Sequence, residues 1–122
     1  MLSCLDAENR YLTTPSSVDF YPMQGSIEDH ASNLPLAVTK CRQMVDNLRY
    51  LVGMEALFAS QAVDLRKSDD NGDYVHLGKG TQKAYDVLRA VVPEMKSNRS
   101  VYDDINKAYQ LVLEEKFLVD GE

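Results

Sequence analysis

The chain has 122 residues, a net charge of −6 and a sequence pI near 4.8. That length suggests one domain at most, and 44% hydrophobic with 26% charged residues is ordinary for a water-soluble globular protein. The acidic balance, with no basic run longer than Arg66-Lys67, argues against nucleic acid or an anionic membrane as partner.

The N-terminus has neither a basic start nor a continuous apolar stretch, so no secretory leader is expected. No apolar run approaches the roughly 20 residues of a membrane-spanning helix. Residues 1–33 read as an extended loop region. Thr13-Thr14-Pro15-Ser16-Ser17 and Tyr21-Pro22-Met23-Gln24-Gly25-Ser26 are rich in turn formers. A loop this long inside a compact domain is usually functional or awaits a partner. It ends in Glu28-Asp29-His30, three ionisable side chains just before a helix start. A carboxylate and an imidazole held close together can do acid–base chemistry, whereas a solvated turn is the plainer reading of the same residues.

Residues 34–122 read as helical. Ser32 or Asn33 can cap a long helix over about 34–66, and Pro35 is tolerated in its first turn. Ala37, Cys41, Met44, Leu48, Leu51, Glu55, Phe58, Ala62 and Leu65 follow alternating steps of four and three, as in a bundle seam. Val38, Val45, Val52, Ala56, Ala59 and Val63 form a second row beside it, so burial on more than one side is expected. Gly53 sits mid-helix at a cost of about 1 kcal/mol relative to Ala, which the close approach of another helix would explain. A helix of about 33 residues spans about 50 Å, against a radius of gyration of about 14 Å for a compact domain of this size. Helices from other chains or from missing sequence are therefore expected to cover it. Glu55, on the seam, is expected to be structural and to meet a cation or a helix N-terminus across such a contact.

Ser68-Asp69-Asp70-Asn71-Gly72-Asp73 fails the calcium-loop register and reads as a turn. Gly78-Lys79-Gly80-Thr81 lacks the phosphate-loop spacing and reads as a helix start with Thr81 as cap. Helices follow over about 81–92, ending near Pro93, and about 101–116. Cys4 and Cys41 read as reduced thiols, Cys41 as a small core residue. His30 and His76 are the only histidines, and no Cys/His spacing fits zinc.

Several separated motifs carry a resemblance. They are Ala7-Glu8-Asn9-Arg10 before Pro15, Ser17-Val18-Asp19 with Pro22 three residues on, Glu28-Asp29-His30 before the long helix, and Gln61-Ala62-Val63-Asp64-Leu65-Arg66 near its end. Leu77-Gly78-Lys79-Gly80-Thr81 follows in the same order. The chain resembles the histidine ammonia-lyase family, matching about its C-terminal quarter. The resemblance implies a mostly α fold: a long-helix bundle segment that is part of a larger all-α lyase. It implies non-oxidative elimination of ammonia from histidine to give urocanate. Glu28 falls on the family's active-site glutamate, a catalytic and substrate-binding position. Glutamate there is typical of members that act on histidine, whereas those that act on phenylalanine or tyrosine tend to carry Gln. Ile27 stands where the family carries an amide that contacts the reacting centre, and Ala31-Ser32-Asn33-Leu34 departs from the usual Val-Ser-Met-Gly.

The family's electrophile is a methylidene-imidazolone made from an Ala-Ser-Gly triad. Ala31-Ser32 is followed by Asn33 and Ala59-Ser60 by Gln61, so the triad is absent from this sequence and expected elsewhere in the full-length protein. The chain alone is then expected to be inactive. Its implied partners are the rest of the lyase chain, identical subunits through the long helix, and an amino-acid substrate, with no nucleic acid and no membrane, in the cytoplasm. Two other readings stay open: a free-standing helical oligomerisation module, and a segment of a phenylalanine or tyrosine ammonia-lyase or aminomutase.

Overall fold

A computed structural model describes residues 1–18, 33–69 and 76–118. The described residues form four α-helices and one short 3-10 turn, with no strand among them. They are α1 (Leu2–Leu12), the 3-10 turn Ser16–Val18, α2 (Leu34–Asp69), α3 (Lys79–Arg89) and α4 (Tyr102–Leu113). The expectation of a mostly α chain holds, and so does the long helix. The chain divides into two compact units, Met1–Leu48 and Arg49–Glu122, so the boundary falls inside α2 and not near residue 33.

In the first unit, α1 corrects the expectation of extended loop over 1–33. Leu5, Asn9 and Leu12 recur at steps of four and three and are half-buried, while Asp6 and Arg10 pair across one turn at 2.9 Å. No Gly or Pro interrupts the run before Pro15. The link to α2 is polar. Asn47, only 3% exposed, donates from Nδ2 to Glu8 Oε2 and Asn9 Oδ1, each at 3.0 Å, and Gln43 donates to Asn47 Oδ1 at 3.3 Å. A buried amide needs such partners, because an unpaired one costs about 1–3 kcal/mol.

In the second unit, Leu88, Val92 and Ala108 form the core, with Ala56, Leu57, Leu111 and Phe117 against them. Gly53 lies where α2 meets α4. A Cβ built there stands 3.1 Å from both Ala108 C and Tyr109 N, which is the close approach its presence suggested. Tyr50 stacks on Tyr109 beside this contact, ring centroids 4.1 Å apart. Helix α3 begins at Lys79 with Gly78 as N-cap, not at Thr81. The Thr81 hydroxyl instead donates back to the Gly78 carbonyl at 2.9 Å.

Chain contacts split the apolar rows of α2. Ala37, Lys40, Met44, Asn47, Leu51 and Met54 are buried or half-buried. A second set, also at steps of four and three, is exposed: Leu34, Val38, Cys41, Val45 and Leu48 in the first unit, Val52, Glu55, Ala59 and Ala62 in the second. Cys41 is thus an exposed free thiol like Cys4, and not a core residue. Glu55 is exposed within this chain as well.

Candidate active-site segment

The candidate site residue Glu28 lies outside the described residues, as do Asp29 and His30. The structure describes what stands on either side of them. On the upstream side, α1 ends at Leu12 and the Thr13 and Thr14 hydroxyls donate to the Arg10 and Tyr11 carbonyls at 2.6 and 2.9 Å. The 3-10 turn Ser16–Val18 follows. On the downstream side, Asn33 adopts a left-handed backbone with φ 46°, and its carbonyl accepts the first helical bond of α2 from Ala37 N–H at 3.0 Å. Asparagine tolerates that conformation better than most residues.

The two sides meet. Asn33 Nδ2 donates to the Ser16 carbonyl at 2.9 Å across 17 residues. One turn and a half into α2, Lys40 Nζ donates to the Thr14 carbonyl. Sequence reasoning took Asn33 only as a helix cap. Its departure from the family's usual residue was the available signal.

The second unit holds the other concentration of charge. Asp64, in the Val-Asp-Leu-Arg stretch of α2, receives Arg89 Nη2 at 2.5 Å and the Tyr85 hydroxyl, both from α3. Lys67 lies over the Tyr85 ring, 4.1 Å from its centroid. Both Asp64 oxygens are taken, so Asp64 is committed to holding α3 and Tyr85 is committed as its donor. Nearby, Met54, Leu57, Phe58, Val92, Val101 and Ile105 line a largely apolar cavity of about 150 Å³. Gln61 and Met95 exchange two hydrogen bonds at its edge, 3.0 and 3.3 Å. Arg99 grips Asp104 at 2.7 Å and the Pro93 and Glu94 carbonyls at 3.0 and 3.2 Å. This part of the chain is built for packing. Among the described residues no group of three or more His, Cys, Asp or Glu could hold a metal ion, and no helix is long and apolar enough to cross a membrane.

Residues 2–90 match the family described as aromatic amino acid lyase. The chain belongs to that family. It is 34% identical to histidine ammonia-lyase 1 of Fusobacterium nucleatum and 36% identical to histidine ammonia-lyase of Alkaliphilus metalliredigens, in each case over 97% of this chain. It spans 22% of the length of each of these relatives. It is also similar to the crystal structure of ergothionase, an ergothioneine-degrading enzyme from Treponema denticola, solved with desmethyl-ergothioneine sulfonic acid. That likeness has a TM-score of 0.84 and 47% identity, covering 95% of this chain and 22% of that one. The lyase-family expectation therefore holds, and the described helices are a segment of that fold.

Proposed function

We propose that this chain is the C-terminal segment of a carbon–nitrogen lyase that acts on histidine or a histidine-derived betaine. The observation that carries the reading is the family match over residues 2–90 together with histidine ammonia-lyase relatives across 97% of the chain. The reaction removes a proton from Cβ and breaks the Cα–N bond, leaving a double bond conjugated to the imidazole. Glu28 is the catalytic and substrate-binding residue this chain contributes, its carboxylate suited to an imidazole N–H or a cationic nitrogen. The electrophilic methylidene-imidazolone would activate an amino group, and it would come from the rest of the polypeptide, because no Ala-Ser-Gly occurs here. The partners are that remaining polypeptide and identical subunits. The exposed row of α2 supports both, since Leu34, Val38, Leu48 and Val52 leave apolar surface open on a single chain. The compartment is the cytoplasm.

A second reading concerns the leaving group. The 47% identity to ergothionase exceeds the 34–36% to the two histidine ammonia-lyases. Ergothioneine carries a trimethylated nitrogen. A quaternary nitrogen has no lone pair to add to an electrophile, and it already departs as a neutral amine. Such a substrate lifts the need for the methylidene-imidazolone. Ile27, apolar where the family carries an amide, suits methyl groups beside the reacting nitrogen.

The test uses the full-length enzyme with histidine and with ergothioneine in parallel. Ammonia with urocanate from histidine supports the first substrate, and trimethylamine from ergothioneine the second. Absence of amine release from either overturns the lyase reading for imidazole substrates.

A further inference from the structure

We propose that the stretch of the full-length polypeptide directly preceding Met1 continues α1 as a helix and packs along α2 over Phe58 and Leu65. The proposal rests on the reading that this chain is one segment of a longer lyase. Its register comes from the contact between α1 and α2. Lys40 donates to the Thr14 carbonyl, and Asn47 donates to Glu8 and Asn9. Position numbers thus fall along α1 as they rise along α2, so the two helices run antiparallel, each rising about 1.5 Å per residue. Extended past α1, the same register brings the positions about four and about eleven before Met1 opposite Phe58 and Leu65.

The face of α2 agrees. The face that carries Lys40 and Asn47 also carries Met44 and Leu51, both half-buried. Helix α2 is a single helix, and the same alternating steps of four and three lead on to Met54, Phe58, Gln61 and Leu65. Phe58 and Leu65 are 66% and 56% exposed. Met54 and Phe58 also line the apolar cavity of about 150 Å³. Large open apolar side chains beside a cavity suit an amphipathic helix with apolar residues facing them. The Gln61 amide is already spent on Met95, so this face asks for no polar partner there.

The occupant is assigned within one polypeptide because α1 is helical from its first turn. The Met1 carbonyl accepts from the Leu5 N–H at 3.2 Å. Residues that continue this helix upstream leave along its axis, in the direction of rising α2 numbers. A helix from a second copy lacks that tether and its high effective concentration. The face is also distinct from the exposed row through Val38, Val45 and Val52.

The experiment is cysteine cross-linking in the full-length enzyme freed of its native cysteines, Cys4 and Cys41 among them. One variant pairs Phe58→Cys with a cysteine at the fourth position before Met1. Another pairs Leu65→Cys with a cysteine at the eleventh. Each pair is repeated one position to either side, because a disulfide tolerates little error in distance. Mild oxidation is expected to give a disulfide within one chain for both pairs, seen as a one-chain band on non-reducing electrophoresis. Maleimide should label the single variant Phe58→Cys at least about tenfold more slowly in buffer than in urea. A disulfide between chains puts a second copy on this face and overturns the proposal. Equal labelling in buffer and urea shows an open face and overturns it, as does protection with no disulfide at any of the positions. The wild-type enzyme is assayed for amine release in parallel. Release beside an open Phe58 position overturns this proposal and leaves the lyase reading standing. Disulfides at both pairs without amine release uphold the packing and overturn the lyase reading.

Discussion

Asp64 and Arg89 form an ion pair at 2.5 Å, 25 positions apart, with side chains only 8% and 14% exposed. The pair joins α2 to α3, and the Tyr85 hydroxyl donates to the second carboxylate oxygen. Removing one member leaves an uncompensated buried charge. Asp64→Ala is expected to cost about 3–5 kcal/mol in urea unfolding. The double variant Asp64→Leu with Arg89→Met is expected to cost less than the sum of the singles. A cost under about 0.5 kcal/mol for Asp64→Ala, the range of surface changes, would show that the pair is not buried in solution.

Gly53 is the second sensitive point. Alanine gains about 1 kcal/mol in helix propensity there. Its Cβ meets the backbone of α4, not a flexible side chain, at 3.1 Å. Overpacking of this kind costs about 1–3 kcal/mol, so Gly53→Ala is expected to be net destabilising and Gly53→Val more so. Thermal unfolding of the two variants decides. A stabilised Gly53→Ala would mean that α4 yields.

Leu48 and Val52 are 52% and 46% exposed and lie one turn apart on the open face of α2. The isolated chain is expected to self-associate in sedimentation equilibrium. Leu48→Lys with Val52→Glu should lower the association while changing folding by about 0.5 kcal/mol or less. A wild-type chain that sediments as a monomer contradicts the expectation.

The isolated chain should convert no histidine to urocanate, because the electrophile-forming triad is absent from its sequence. Absorbance at the product's ultraviolet band measures this, and turnover above a buffer control would refute it.

Glu28→Gln in the full-length enzyme should lower kcat/KM by about 1.5–3 kcal/mol, roughly ten- to a hundredfold, through loss of one charge-assisted contact. Asp29→Asn should act on stability instead, by about 1 kcal/mol, if Asp29 bonds the orphan N–H groups of a helix start. Kinetics and thermal unfolding of both variants separate the roles. Unchanged turnover in Glu28→Gln would leave it a turn carboxylate.

The sequence made α2 legible because its apolar period persists over about eight turns, from Ala37 to Leu65. It also made Gly53 legible, because glycine mid-helix asks for a neighbour. Helix α1 was hidden by its setting. Its own signal, Leu5, Asn9 and Leu12, is short and half polar, and the Pro- and Ser-rich residues after it coloured the whole stretch. The rows of α2 were legible as apolar but not as inward or outward. The inward face is set by Asn47 and Lys40, whose partners on α1 and beyond are far away in sequence. The Asp64–Arg89 pair was unreadable for the same reason. Glu28 was read from the resemblance and lies outside the described residues.

Glu55 interrupts the open row of α2, between Val52 and Ala59. Its place has a directional consequence. If two copies of this helix met along that row in parallel and in register, each Glu55 would face its own counterpart, and two like carboxylates in one layer repel. An antiparallel or offset meeting places Glu55 beside different residues, including the exposed Arg42 or Arg66 at some offsets. One acidic residue in an otherwise apolar row thus disfavours one particular meeting of two copies, the parallel one in register.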